Sequence, residues 1–289
     1  MRLNKYISHN SKYSRREADK LIEDGRVTLN RKVTKDFGYE VEDGDFVDVD
    51  NRPIKKRQEL TVIVYNKPKG VLVTKRDDRG RTTIYHKLPG KFRSFIPVGR
   101  LDYASEGILI LTDSPSVADA LMKSELPRTY NIKIDKPVTQ DMIEAMKNGL
   151  SLFDASAGAH EKSKIRSMDF APFTYFEIRG ESKSFTKIRV TITEGQNREL
   201  RRFFGYFGAE VLDLKRVSFG EIELNNLPTN KTRYFSRREY DDLYKFLKNR
   251  DKQKVIDSKN EDNHKRQLKE NRKKRKQEER KKEYLKSKK

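Results

Sequence analysis

The central segment of the chain, residues 61–249, alternates short apolar runs with amphipathic stretches, and many of the connections between the apolar runs are too short to hold a helix. The strand-like runs are TVIVYNKPKGVLVT (two strands joined through Pro68 and Gly70), RTYNIKI, TYFEIRG and TKIRVTITEG. Helical periodicity marks VADALMKSEL, TQDMIEAMKNGL and NRELRRFFGYFG. Parallel strands need a long crossover connection, whereas antiparallel strands can be joined by a tight turn. The pattern therefore predicts an α+β fold with a mixed, largely antiparallel sheet rather than a doubly wound one.

Residues 1 to about 60 are predicted to form a small module of their own. Leu3 and Ile7 are spaced to lie on one face of a helix. A second helix is expected after Ser14, because Ser14 and Glu17 have the spacing of a capping box. Short strands are predicted in RVTLNRKV and DGDFVDVD. The module is therefore two helices followed by short strands.

The charge of this module is polarised along the sequence. Residues 2–35 hold ten basic and four acidic side chains, whereas residues 36–50 hold seven acidic side chains and no basic one. Arg15 and Arg16 fall in the first turn of the second helix, where the helix dipole disfavours cations. Helix stability does not explain them, and a bound phosphate would. A mixed-charge helical hairpin with solvated faces is the alternative explanation.

The whole chain is strongly basic, with 289 residues, a formal charge of +21 and a pI near 9.8, which favours a polyanionic partner. Residues 250–289 contribute 18 basic and 8 acidic side chains, and either a phosphate-binding arm or a solubilising tail fits them. The chain has no cysteine and four scattered histidines, so we expect no metal site and no thiolate chemistry. It also lacks an apolar run of ~18 residues and a signal-peptide pattern, so we expect a cytoplasmic protein without a membrane contact.

One acidic residue occupies an unusual place in this basic chain. In IPVGRLDYASEGILILTDS, Asp102 lies between Gly99 and Gly107, just before an apolar run that is typical of a core strand. The local pattern alone favours a turn or ion-pair residue. No glycine-rich nucleotide motif and no GxSxG motif occurs, which disfavours a nucleotide cofactor and a serine nucleophile, and Asp102 is the only carboxylate in a loop shaped by two glycines before a strand of this kind.

Two resemblances change that balance. LNKYIS and SRREADKLIEDGRVTLN resemble the αL RNA-binding module that a small-subunit ribosomal protein shares with several RNA-modifying enzymes. Behind it, NKPKGVLVT, GRLDYASEGILILT, RTYNIKI and EGQNRELRRFFGYFG occur in one order, and together they resemble the bacterial ribosomal pseudouridine synthases of the RsuA/RluB family. Asn30-Arg31 replaces the usual Asn-Gly of the module, and we expect the turn to survive because Asn tolerates a left-handed conformation.

The resemblance implies a set of site residues. Asp102 falls on the family's catalytic aspartate, and Tyr130 falls on the tyrosine that stacks on the target base. Arg201 falls on the arginine that pairs with the aspartate, and Leu200 on the residue that closes the pocket beneath the base. Arg100 is placed to fill the space that a flipped nucleotide leaves. Leu200 is also consistent with plain core packing, and Arg100 with a structural contact to a carbonyl or to Asp102.

The predicted RNA contacts are basic side chains of the module and of the motifs. They are Arg2, Lys5, Arg15, Arg16, Lys67, Lys69, Arg100, Arg198 and Arg202, together with Leu200. Lys67 and Lys69 are single lysines in a turn, and such lysines are most often just solvated.

Together these observations predict an RNA pseudouridine synthase that needs no cofactor and acts as a monomer on ribosomal RNA or assembling subunits. The resemblance favours 23S RNA over 16S RNA. The predicted divisions are an αL module (1–60), a catalytic domain (61–249) and a basic tail (250–289). A non-catalytic RNA-binding assembly factor is the main alternative. A nuclease is disfavoured, because neither clustered carboxylates nor a histidine pair is present.

Overall fold

The computed structural model describes residues 1–11, 13–55, 60–250 and 252–253. The chain divides into two compact units, Met1–Phe235 and Ser236–Lys289. In the second unit residues 237–250 are helical, and Ser236 and Glu239 cap the start of this helix by exchanging hydrogen bonds of 2.7 and 3.3 Å. Apart from residues 250, 252 and 253, the predicted basic tail lies outside the described residues.

Six further α-helices, one short 3-10 helix (Gly90–Phe92) and fifteen strands are described in the first unit. The helices are α1 Leu3–Asn10, α2 Arg15–Glu23, α3 Ile84–Lys87, α4 Pro115–Met122, α5 Gln140–Asn148 and α6 Glu199–Tyr206. The first seven strands are β1 Val27–Leu29, β2 Lys32–Val33, β3 Val47–Val49, β4 Arg52–Pro53, β5 Val62–Lys67, β6 Ile96–Pro97 and β7 Glu106–Thr112. The others are β8 Arg128–Ile134, β9 Leu150–Leu152, β10 Met168–Phe170, β11 Tyr175–Ser182, β12 Phe185–Ile192, β13 Val211–Phe219, β14 Ile222–Glu223 and β15 Thr232–Tyr234.

The N-terminal module packs α1 and α2 against a four-stranded sheet of order β2-β1-β3-β4. The predicted capping box is present, since Ser14 Oγ accepts the Glu17 N–H at 3.2 Å and Glu17 Oε2 accepts the Ser14 N–H at 2.7 Å. The turn between β1 and β2 survives the missing glycine, because both Asn30 (φ 51°) and Arg31 (φ 67°) adopt the left-handed conformation.

The predicted catalytic domain is built on a nine-stranded sheet, whose main path runs β11-β12-β8-β13-β7-β5-β15. The predicted α+β class with a mixed, largely antiparallel sheet is confirmed, because the one parallel pair among the described strands is β13 with β7. The main hydrophobic cluster includes alternate residues of β8 and β12 together with apolar residues of α5 and α6. It therefore gives the sheet one buried face, on which α6 and its arginines are held.

The parallel pair at the centre of the sheet is very short. β13 and β7 are in register only at Lys215 with Glu106 and at Arg216 with Gly107. Gly107 has φ 104°, and a Cβ there would overlap the carbonyl oxygen of Arg216. A glycine is thus required for the two backbones to meet, immediately after the loop that carries Asp102.

One predicted strand does not form. After Gly70, where φ is 71°, residues 71–74 make an isolated bridge between Leu72 and Thr83 instead of a regular strand. Val71 and Val73 are buried in the main core. Their apolar, β-branched pattern therefore reflects core packing rather than strand pairing.

Candidate active site

The loop that carries Asp102 is held in place by a buried lysine. Lys67, at the end of β5, is fully buried, and its ammonium donates to the carbonyls of Pro68 (2.9 Å), Asp102 (3.2 Å) and Ser105 (2.8 Å). The Ser105 N–H donates to the Asp102 carbonyl at 3.0 Å. Burial lowers the pKa of Lys67 to about 8, against the raising effect of Asp102. Lys67 thus holds the backbone of the turn while the Asp102 carboxylate stays free for other partners.

Two arginines face the Asp102 carboxylate. Its Oδ2 lies 3.5 Å from Arg198 Nη1 and 3.7 Å from Arg201 Nε. The Asp102 side chain is 31% exposed, whereas those of Arg198 and Arg201 are 22% and 10% exposed. The carboxylate is therefore open to a substrate on one side and is neutralised by cations on the other.

Arg201 is anchored to the protein backbone. Nη1 donates to the Val211 carbonyl at 2.8 Å, and Nη2 lies 3.4 Å from both the Ala104 carbonyl and Ser105 Oγ. Nε is buried and has no hydrogen-bond partner among the described residues. Burial is the main cause that lowers the pKa of Arg201, and the charge of Arg198 adds to it.

Arg198 was predicted only as an RNA contact, yet the structure places it beside the candidate catalytic carboxylate. It is the N-cap of α6, with a left-handed backbone (φ 52°), and its Nε donates to the Gly158 carbonyl at 2.8 Å. Sequence offered one signal for this position, namely that residues 198 and 201 are three apart and lie on the same side of a helix start.

Tyr130 and Leu200 are both part of the main core. Tyr130 lies on β8 between Val190 of β12 and Arg216 of β13, and it is 7% exposed. Leu200 on α6 is 4% exposed. In the protein without RNA, Leu200 is therefore a core residue.

Glu199 is an acidic residue near the site that sequence reasoning passed over. It is buried and accepts the Gln196 N–H at 2.8 Å. Burial raises its pKa to about 7, although the nearby Arg128 lowers it. Arg128 is buried as well, donates to the Ser124 and Thr193 carbonyls, and lies 5.0 Å from the ring centre of Phe219.

The structure corrects two of the predicted RNA contacts. Lys67 and Arg202 have no exposed surface, so neither reaches a phosphate from its present position. Arg202 donates to the Asn197 carbonyl at 3.0 Å, to Ser163 Oγ at 2.6 Å and to the Ala155 carbonyl. Both cations are held inside by backbone and hydroxyl oxygens, which satisfy the donors that burial removes from water.

The other predicted contacts lie at or near the surface. Arg2, Arg15, Arg16, Lys69 and Arg100 are exposed, and Lys5 is half-buried. Lys69 forms an ion pair with Asp213. Within the described ranges there is no cluster of three potential metal ligands, and no helix is long and apolar enough to cross a membrane.

Comparison with known proteins identifies the class. Residues 61–206 match the family model described as RNA pseudouridylate synthase, and residues 1–47 match the S4 domain. The chain is 48% identical over 252 residues to an RNA pseudouridine synthase of Helicobacter pylori strain J99, covering 86% of this chain and 96% of the relative. It therefore belongs to the RNA pseudouridine synthase family, as the sequence motifs predicted, and is an isomerase.

Two further relatives are pseudouridine synthases with more specific names. The ribosomal large subunit pseudouridine synthase B of Bacillus subtilis is 32% identical over 240 residues, covering 82% of this chain and 93% of the relative. The dual-specificity RNA pseudouridine synthase RluF of Escherichia coli K12 is 33% identical over 253 residues, covering 86% and 80%. A crystal structure of a pseudouridylate synthase shares the fold, with a TM-score of 0.56 at 23% identity over 84% of this chain and 99% of that chain.

Proposed function

We propose that this protein converts a uridine of ribosomal RNA into pseudouridine, with Asp102 as the catalytic carboxylate. The observation that carries the proposal is the Asp102 side chain, which is partly exposed and lies within 4 Å of two guanidinium groups in a turn held by Lys67. The names of the Bacillus subtilis and Escherichia coli relatives support an RNA substrate, and the first of them supports ribosomal RNA.

The chemistry explains why one carboxylate suffices. Isomerisation breaks the glycosidic bond at nitrogen and reforms it at carbon, so nothing is oxidised and no group is exchanged. A carboxylate can act as the nucleophile at the base or at the sugar, or as a base that removes a proton. All three routes use the carboxylate group of Asp102 and no second acid. Arg201, which is anchored to the backbone, supplies a cation that stays in place throughout.

Tyr130 is proposed to stack on the uracil, and Leu200 to close the pocket beneath it. Tyr130 is only 7% exposed, so the base meets the ring after neighbouring side chains move. The target nucleotide also has to leave its stack, at a cost of a few kcal/mol. Arg100 is exposed on the same loop as Asp102 and is placed to fill the vacated space.

The N-terminal module is proposed to hold the RNA through phosphate contacts. Arg2, Lys5, Arg15 and Arg16 are the contacts proposed for it, with Lys69 and Arg198 added by the catalytic domain. We propose 23S RNA, free or in an assembling subunit, as the substrate in preference to 16S RNA. We also propose that the protein acts in the cytoplasm as a monomer. Its domain limits are proposed to lie near residues 60 and 249.

The test uses ribosomal RNA that carries no modification. The full-length protein is incubated separately with transcribed 23S and 16S RNA, and pseudouridine is mapped by chemical derivatisation and primer extension. We expect a modified site in 23S RNA with the wild-type protein and none with Asp102→Asn. Modification of 16S RNA alone would reverse the choice of subunit. Binding without modification of either RNA would favour the assembly-factor alternative.

A further inference from the structure

A cleft of about 320 Å³ lies beside Asp102, on the far side of its two arginines. Arg198 and Arg201 line it, together with Gly158, Gly205, Gly208 and Glu210. Both arginines also lie within 4 Å of the Asp102 carboxylate, so they connect the cleft to the candidate catalytic group.

Glycines bring the backbone close to this cleft. A Cβ on Gly158 would overlap the Arg201 carbonyl oxygen, and a Cβ on Gly205 would come within 2.9 Å of the Gly158 nitrogen. The loop that contains Gly158 is therefore pressed against α6. Its carbonyl is thereby placed to accept the 2.8 Å hydrogen bond from Arg198 Nε.

Two cations lie close together at this cleft. Two guanidinium groups share the single carboxylate of Asp102, at distances longer than a normal hydrogen bond. Glu210 also lines the cleft, and its charge and that of Asp213 oppose the lowering of the Arg201 pKa. Glu210 is exposed, so solvent screens its charge. The charge of Arg198 helps to lower the pKa of Arg201, which is the effect of crowding two cations together. A second anion would relieve this crowding.

The two arginines differ in how firmly they are held. Arg201 is anchored through both terminal nitrogens and is 10% exposed, whereas Arg198 has its Nε anchor on Gly158 and is 22% exposed. Arg198 also has a left-handed backbone, which costs a non-glycine residue free energy and is typical of functional positions. Of the two guanidinium groups, that of Arg198 is therefore the one with freedom to change partner.

We propose that the cleft binds a backbone phosphate next to the target uridine, and that Arg198 exchanges Asp102 for this phosphate when RNA binds. Arg201 then remains as the partner of Asp102, so the carboxylate is less shielded once the substrate is in place. Arginine suits this exchange because its guanidinium forms charge-assisted hydrogen bonds with carboxylate and with phosphate. The inference rests on the proposed role of Asp102.

The test is a double-substitution cycle between the protein and the RNA. The probe is a synthetic stem-loop centred on the uridine that the full-length protein modifies in transcribed ribosomal RNA. It is made with natural linkages, or with one neutral methylphosphonate on the 5′ or on the 3′ side of that uridine. Single-turnover rates and Kd values are measured with the wild type, Arg198→Ala and Arg179→Ala. Arg179 is a matched control, since it is an exposed arginine paired to Glu177 at 2.9 Å.

With the wild type, we expect a methylphosphonate at one of the two linkages to reduce rate over Kd by about tenfold or more. With natural RNA, the rate over Kd of the Arg198→Ala variant should be lower than that of the wild type by a similar factor. The same methylphosphonate should then reduce the rate over Kd of this variant by less than about twofold. Arg179→Ala should behave as the wild type does. A role of Arg198 in folding alone would leave the methylphosphonate penalty unchanged.

Independent, multiplicative losses at both linkages would overturn the phosphate cleft. The proposed function would fail on a different result, namely an active Asp102→Asn protein with natural RNA. An inactive Asp102→Asn protein combined with multiplicative losses would refute the exchange by Arg198 and leave the catalytic role of Asp102 standing.

Discussion

The N-terminal module and the catalytic domain use their basic side chains in opposite ways. In the module, Arg15 and Arg16 lie exposed on the first turn of α2. In the catalytic domain, Arg201 beside Asp102 is buried, and Lys67 and Arg202 have no exposed surface at all. Their hydrogen bonds go to backbone carbonyls and, for Arg202, also to side-chain oxygens of the protein.

The difference shows what each kind of cation does. A buried charge is tolerated only where oxygen atoms satisfy it, so such a residue fixes backbone around it and is costly to remove. An exposed arginine contributes little to stability and is available to a phosphate. Substitutions of the buried cations of the catalytic domain should therefore alter folding or chemistry, whereas those of the exposed arginines of the module should alter affinity and its dependence on salt.

The largest expected effect is that of Asp102→Asn, which keeps the volume and removes the charge. The rate should fall by at least ~10³, or about 4 kcal/mol of barrier. RNA affinity should stay within about threefold, because we place the binding contacts elsewhere. Single-turnover assays and filter binding with the same RNA measure the two quantities separately.

Asp141→Asn is the matched control, since Asp141 is an exposed carboxylate in the first turn of α5. It makes the same change of charge and should leave the rate nearly unchanged. A folded Asp102→Asn protein with a rate near that of the wild type would show that the carboxylate is not catalytic.

The second effect concerns Lys67, a buried cation that can be compared directly with the exposed Lys69. Lys67→Met leaves three loop carbonyls without their donor and should lower the free energy of unfolding by about 2–4 kcal/mol. Lys69→Met, two residues along, removes an exposed lysine and should cost less than about 1 kcal/mol. Urea titrations of both variants measure the difference, and equal losses would contradict the structural role of Lys67.

The same residue predicts a pH dependence. The folded pKa of Lys67, about 8, lies below its usual value of 10.5, so the unfolded chain binds more protons between these values. The stability of the wild type should therefore rise with pH across this window, by up to about 3 kcal/mol relative to Lys67→Met. A constant difference between the two proteins from pH 8 to pH 10.5 would show that Lys67 is not buried as a cation.

Sequence reasoning succeeded where a local rule governs the structure. The capping box of Ser14 and Glu17, the end of α5 before Gly149 and the mixed sheet all follow from short-range spacing or connection length. The turn at Asn30 formed without its glycine, because a left-handed conformation can be adopted there by asparagine and by arginine. The capping box, the helix end and the turn each depend on residues within about five positions of one another, and the sheet type follows from the length of the connections.

The features that the sequence missed depend on distant partners. Lys67 is held by carbonyls up to 38 residues away, and Arg202 by one 47 residues away. No local pattern distinguishes these cations from the exposed Lys69. The contact between Arg198 and Asp102 joins residues 96 positions apart, so it can be recognised only from the folded structure. The segment after Gly70 was predicted as a strand, because buried valines produce the same pattern in a core loop as in a strand.

The third effect tests the module side of the comparison. Replacing Arg15 and Arg16 together by Gln should weaken RNA binding by about tenfold. It should also reduce the log–log salt slope by about 0.7–0.9 per lost phosphate contact. The melting temperature should change little, because both side chains are exposed. Binding titrations at several salt concentrations measure the slope.

Arg26→Gln is the control for this pair, because Arg26 is exposed in the same module but donates to both oxygens of Asp50, at 2.7 and 2.6 Å. A partnered arginine should change the salt slope less than the two arginines on α2. If the Arg15 and Arg16 variant keeps the full slope, the module faces a partner other than a phosphate backbone.

The smallest effect links stability to binding within the module. Ser14→Ala removes the hydroxyl that caps α2 and should cost about 1 kcal/mol locally. Because Arg15 and Arg16 follow directly, fraying of this turn should weaken RNA binding by a fewfold while the salt slope is kept, since both charges remain. Hydrogen exchange of the α2 amides in the full chain reports the fraying, and the control Ser14→Asp should restore protection, because Asp is also a good N-cap. Faster exchange in Ser14→Ala without any loss of affinity would show that the arginines act independently of the cap, and that the exposed cations of the module need no fixed backbone beneath them.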